Sequence, residues 1–165
     1  MHERPLQVQK IGVWCAISGT RIIGPIFFDR TVNTEVYMNI FEEFCAQLTE
    51  EERQNLLFQQ DGMTCHTSWL SLQQVHDVFS EERTVSKNLW PPRSPDLTTC
   101  DCLLWGHLKS TVYESNPHMI QELKDNINHT VAAIKITMLH GVYLNMIRCA
   151  QLYIDAGGND FHHLL

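Results

Sequence analysis

The chain has 165 residues, 44% of them hydrophobic and 19% charged, which excludes a disordered tail and bounds it to one globular domain with a real core. Nineteen acids against twelve lysines and arginines leave a net charge of −7, so a protein that grips nucleic acid with its whole surface is excluded and any such role must be local. No apolar run of about 18 residues occurs, and the opening MHERPLQVQK lacks the apolar stretch of a secretion signal; no membrane span and a nuclear or cytoplasmic location are expected.

Residues 10–17, KIGVWCAI, are nearly all apolar or small and too few for a helix, and predict a buried strand. Ser18, Gly19 and Thr20 supply a turn into residues 21–28, RIIGPIFF, a second strand whose Pro25 requires an edge position or a bulge. The two form a predicted hairpin. Across residues 34–48, Val36, Ile40, Phe41, Phe44 and Leu48 recur at the spacing of one helical face, with Thr34 as its N-cap. Thr49 followed by Glu52 is a capping-box pattern, and residues 55–60 then predict a strand that Asp61 ends.

Beyond Gly62, Thr67 is a candidate cap for a helix whose apolar side would be Trp69, Leu72, Val75, His76 and Phe79. Residues 84–90 predict a short strand broken by Pro91 and Pro92. Thr98 or Thr99 would cap the next helix, with Leu103, Leu104, Trp105, Leu108 and Val112 on its buried face. Residues 119–134 carry Ile120, Leu123, Ile127 and Val131 at helical spacing, residues 137–154 form another amphipathic stretch, and Gly157 and Gly158 end it. The order is strand, strand, helix, strand, helix, strand, then helices, an α/β arrangement.

Six cysteines, Cys15, Cys45, Cys65, Cys100, Cys102 and Cys149, show neither C-x-x-C pairs nor framework spacing and read as thiols of a reducing compartment. A zinc site from Cys65, His66, Cys100 and Cys102 is the alternative; small buried thiols are the ordinary case. Asn128, His129 and Thr130 match a glycosylation acceptor that, without a secretion signal, has no use.

Two blocks carry the chemistry: FQQDGMTCHT at residues 58–67 and WPPRSPDLTTCD at residues 90–101. Asp61 closes an apolar run before a glycine turn, a common way for an α/β sheet to present a carboxylate at a strand tip. Asp101 falls in the first turn of its helix, where the macrodipole favours an ionised carboxylate by about 0.3–1 kcal/mol. Two acids so placed suggest a divalent-metal site. Basic side chains near them are few: Arg93, Lys109 and Lys124, with Arg93 and Lys109 the candidates for nucleic-acid contact and solvated surface charge the competing reading.

These blocks, with VWCAIS at residues 13–18 and KSTVYESNPHMIQELKDNI at residues 109–127, resemble the catalytic domain of mariner-superfamily DDE transposases over almost the whole chain. The resemblance implies a ribonuclease-H-like mixed sheet with flanking helices, and three acids holding two magnesium or manganese ions. Asp61 resembles the second acid and Asp101 the third; Asp96, in the SPDL loop, is similar to a structural neighbour, and His66 to a family histidine of no assigned role. The first acid sits in that family on a central strand upstream of VWCAIS, so the expectation is a single partial domain, residues 1–165, lacking that strand. Its sheet and catalytic motifs would occupy residues 9–115 and its C-terminal helices residues 118–155.

A truncated transposase-like domain of this kind is expected to be inactive alone, because each ion would keep one protein carboxylate. Glu3, Asp29 and Asp96 are the candidates to replace the missing acid, none of them evidently on the central strand. The implied partners are transposon-end DNA and a second copy of the chain. Two other readings stand beside it: an active metal-dependent strand-transferase or endonuclease whose missing acid comes from elsewhere, and an exapted, non-catalytic module binding nucleic acid or protein.

Overall fold

In the structure, a computed structural model that describes residues 10–86 and 100–157, the chain is mixed α/β, as its pattern predicts. The hairpin consists of β1 (Gly12–Ile17) and β2 (Ile22–Phe28), paired antiparallel. Its turn is pinned by Ser18, whose Oγ accepts from the Thr20 and Arg21 N–H groups at 3.3 and 3.1 Å. Such a hydroxyl turn stands in for a backbone one.

Both faces of this hairpin are apolar and both are covered. Trp14, Ala16, Ile23, Ile26 and Phe28 pack on one side, against the helix that follows; Val13, Cys15, Ile17, Ile22 and Phe27 pack on the other, against the late helices. Ile23 and Ile26 are an odd number of residues apart, which in an unbroken strand would send them to opposite faces. Gly24 and Pro25 instead bulge opposite Cys15 alone, with Trp14 facing Ile26 and Ala16 facing Ile23, so both isoleucines stay on one face. Gly24 has φ +110°, and a Cβ there would sit 3.0 Å from the Trp14 carbonyl oxygen. Only glycine meets both conditions.

Helix α1 (Thr34–Ala46) is capped one residue earlier than Thr34: Asn33 Oδ1 accepts from Val36 N–H at 2.9 Å. Its buried face is Tyr37, Ile40, Phe41, Phe44 and Cys45. Phe41, Phe44, Phe58 and Phe79 form one aromatic cluster with ring centroids 5.1–6.4 Å apart, and Trp14 meets Phe44 edge-on at 5.2 Å. Offset and edge-to-face pairs at these separations add about 0.5–1.5 kcal/mol each beyond area burial.

The Thr49–Glu52 capping box starts α2 (Glu50–Asn55), which takes Asn55, the residue expected to begin the next strand. That strand, β3 (Phe58–Gln59), pairs in parallel with β4 (Thr84–Val85). Between them lie α3 (Thr64–Thr67) and α4 (Trp69–Phe79), the crossover that parallel pairing requires. Ser68, not Thr67, caps α4. The buried face of α4 is Ser71, Val75 and Phe79, whereas Trp69 is 74% exposed; the apolar stripe begins two residues later than predicted, on a serine.

After a π-helical turn (Cys100–Leu104), α5 (Trp105–Thr111) continues the same helix, and Leu104, Leu108 and Val112 are buried as expected. Helices α6 (Ile120–Ala132) and α7 (Ile136–Asp155) follow. The single mixed sheet that the resemblance implies is not seen: among the described residues the strands form two separate pairs, β1 with β2 and β3 with β4. Cys15, Cys45 and Cys65 are buried free thiols, and burial, then the neighbouring Cys100, pushes the Cys15 thiol up to about 12. Among the described residues no single helix is long and apolar enough to cross a membrane.

Candidate metal and catalytic site

Asp61 lies just past the tip of β3, and its position is fixed from two directions. Its Oδ1 accepts from His66 Nδ1 at 2.6 Å and from Met63 N–H at 3.1 Å. Both bonds favour the ionised carboxylate, the His66 bond most, and together they outweigh partial burial and hold Asp61 below the usual carboxylate range. The Asp61 side chain is 42% exposed and that of His66 14%. The pair therefore faces solvent through the acid, with the histidine behind it.

His66 is held in turn by residues that no motif names. Its ring lies against Tyr37 with centroids 4.3 Å apart, and its carbonyl accepts from Gln60 Nε2 at 2.9 Å. The same Nε2 reaches Ser86 Oγ at 3.1 Å, while the Tyr37 hydroxyl donates to Gln60 Oε1. Tyr37, Gln60 and Ser86 are all buried. Burial pushes the Tyr37 hydroxyl far above the ordinary phenol range, so it stays a neutral donor. A second strut runs below: Ser71 Oγ donates to the Cys65 carbonyl at 2.6 Å, and Ser68 Oγ to Ser71 Oγ at 2.9 Å. Tyr37, Gln60, Ser68 and Ser71 thus brace the loop that carries Asp61.

Gln60 carried a signal in the sequence. Strand alternation puts it on the same side as Phe58, and a buried amide must find partners. Tyr37 left a weaker one, since it adjoins the Ile40, Phe41 and Phe44 stripe.

The remaining candidates separate. The backbone of Asp101 lies in the π-helical turn, which packs on β1: the Cys100 thiol is 3.6 Å from the Cys15 carbonyl. The side chains of Asp101 and Cys102 lie outside the described residues, as do Arg93, the SPDL loop with Asp96, the threonine caps at 98 and 99, and Glu3. Lys109 is exposed in the last turn of α5. Lys124 sets its ammonium 5.4 Å from the centre of the Phe27 ring, a packed position rather than a free one. Asp29 is exposed beyond β2 with Arg30 Nε 3.9 Å away, off any strand.

Among the described residues no group of three or more His, Cys, Asp or Glu side chains gathers to hold a metal; the arrangement considered for zinc also needs Cys102, whose side chain lies outside them. Of the two candidate acids, Asp61 is the one whose side chain is described, and it suits a hard dication: it is held in its ionised form, half exposed, and its two hydrogen bonds both fall on Oδ1. Magnesium prefers such oxygen donors and keeps its waters when few are offered. Two shallow clefts flank the end of β2, one beside Val36, Asn39 and Glu43 and one beside Ile120 and Lys124, and neither borders Asp61. No protein-family model and no curated protein matches the chain.

Proposed function

We propose that the chain carries the second and third acids, Asp61 and Asp101, of a divalent-metal site for DNA phosphoryl transfer, in a ribonuclease-H-like domain of the mariner transposase kind. The observation that carries this reading is the strand pairing. Among the described residues β2–β1 is antiparallel, β3–β4 is parallel, and no strand joins β1 to β3, which is the arrangement expected of that sheet when its first, central strand is not between them. Asp61 at the tip of β3, and a helix starting over β1 with Asp101 in its first described turn, fit the same scheme.

In this reading Asp61 presents its second carboxylate oxygen to the ion while His66 and the Met63 N–H fix the first. Metal ions held by such acids supply stabilisation of the attacking and leaving oxygens in an in-line displacement. β1 and β2 carry no carboxylate, and Asp61 and Asp101 would give each ion one acid, so these two acids alone are expected not to cut DNA.

Iron(II) with ascorbate, which cleaves backbone beside a bound hard dication, tests the proposal. Scission is expected near Asp61 and near Asp101, suppressed by excess magnesium and lost locally in Asp61→Asn and Asp101→Asn. Cleavage elsewhere, or cleavage indifferent to both substitutions, would overturn it. Magnesium-dependent nicking of duplex DNA by the chain alone, abolished in Asp61→Ala, would instead establish a complete site.

A further inference from the structure

Cys15 lies in β1, and Cys100 opens the π-helical turn 85 residues later in the chain. Three observations bring their side chains together. The Cys100 thiol sits 3.6 Å from the Cys15 carbonyl oxygen. The Cys15 side chain is directed to the same helix, because it packs in one cluster with Leu104 and Leu108, which follow Cys100 at steps of four along one helical face. An ionised Cys100 also adds to the rise that burial gives the Cys15 thiol, an effect that requires the two sulfurs to be near each other.

The two thiols differ in what can reach them. Cys15 is 5% exposed and is held protonated, so a dissolved oxidant does not meet it first. Cys100 is partly exposed. The other described cysteines are placed apart from this pair: Cys45 belongs to the cluster on the opposite face of the hairpin, Cys149 to one on α7, and Cys65 to the loop of Asp61. Cys102 is two residues from Cys100, and residues two apart on a helix do not share a face.

We infer that Cys15 and Cys100 are a thiol pair that a small disulfide, such as oxidised glutathione, converts to an internal disulfide, fastening the turn that carries Asp101 to β1. In the first step the Cys100 thiolate attacks one glutathione sulfur; a mixed disulfide forms, the glutathione S–S bond breaks, and the leaving thiolate takes up the proton that Cys100 gave up. In the second, the Cys15 sulfur attacks the Cys100 sulfur, and a second glutathione leaves with the Cys15 proton. Two protein thiols are oxidised and one small disulfide is reduced to two thiols. The second step is slow because Cys15 is protonated, so the pair reads the prevailing redox state rather than a brief pulse. This holds whether or not Asp101 binds a metal.

The test uses the full chain in the Cys102→Ser background, where Cys100 is the one cysteine of its tryptic peptide, residues 94–109. Incubation with oxidised glutathione at mildly alkaline pH, alkylation and non-reducing digestion should yield that peptide joined to residues 11–21. The intact monomer should be lighter by two hydrogens. Cys15→Ala should stop at the first step and carry one glutathione on Cys100. In the otherwise wild-type chain, Cys100→Ser should abolish the link although Cys102 is present. A disulfide closes without distortion only where the two Cα atoms lie within about 7 Å, so the linked chain should unfold at a urea concentration higher by about 1 M, reversed by dithiothreitol. A link that persists in Cys100→Ser, a link to another cysteine or between two chains, or a linked chain no more stable than the reduced one would overturn the inference. So would a Cys102→Ser chain that ends, like Cys15→Ala, with glutathione on Cys100.

Discussion

Tyr37→Phe removes one oxygen from the interior and leaves the ring that packs on Phe41 and His66. The hydroxyl donates to Gln60 Oε1, and both residues are buried. A hydrogen bond of this kind contributes about 0.5–1.5 kcal/mol net, but stranding the acceptor in the interior raises the loss to about 1–3 kcal/mol. With a urea slope of about 1–3 kcal/mol per molar, the unfolding midpoint should fall by about 1 M. Gln60→Leu should also destabilise, because His66 O and Ser86 Oγ lose their donor. The double variant should fall short of the sum by about 1 kcal/mol, the coupling of two groups in contact. Hydrogen exchange gives a local readout: the Met63 and Thr67 amides, bonded within the loop, should exchange faster in Tyr37→Phe relative to those of α6. An unchanged midpoint, or strict additivity in the double variant, would refute the claim that this network holds the Asp61 loop.

Glu52 is held down to about 2, first by its hydrogen bonds to Arg21, at 2.7 Å to Nε and 2.5 Å to Nη2. Its folded value lies below the ordinary glutamate value of 4.5, so the stabilisation is full above that value and is lost as pH falls toward 2. Because Arg21 is 40% exposed, screening limits the effect to under about 1 kcal/mol; acid titration of the urea midpoint should show a shallower fall in Arg21→Ala. Gly24→Ala should destabilise by about 1–3 kcal/mol, from the positive φ and the close Trp14 carbonyl, measured as a drop in thermal midpoint; an unchanged midpoint would mean that the bulge relaxes at no cost.

How far the residues announce the structure depends on what decides each position. The hairpin, α1 and the faces of α5 and α6 were readable because burial sets them and leaves a periodic trace, and the Thr49 capping box because its two reciprocal hydrogen bonds need that residue spacing. The β3 boundary was not, since the capping box competes for residues 50–55 and the strand is only two residues long. Trp69 misled for a similar reason. Its hydrophobicity suggested a core face, but α4 turns that face about Ser71, whose hydroxyl is needed by the Cys65 carbonyl. The site was half readable: the motif pointed to Asp61, but the Tyr37, Gln60 and Ser86 supports come from three separate elements that no spacing in the sequence connects.

That division bears on how two acids could be brought to act together. The Asp61 loop is built on α1, β3 and β4, within the aromatic cluster on one face of the hairpin. The helix that opens with Asp101 is built on β1 through Cys15, Leu104 and Leu108, within the cluster on the other face. The backbone segments that carry Asp61 and Asp101 thus rest on different cores, and no backbone hydrogen bond joins β1 to β3 among the described residues. In the proposed reading, a strand placed between β1 and β3 would add a third carboxylate and would also join the two cores by backbone hydrogen bonds, fixing the separation of Asp61 from Asp101. Sheet closure is then a precondition of tight metal binding, and the third carboxylate is the other. An added peptide or N-terminal extension that tightens manganese binding should raise the unfolding midpoint of both clusters together, and an extension whose acid is replaced by asparagine should still raise the midpoint while leaving metal binding weak.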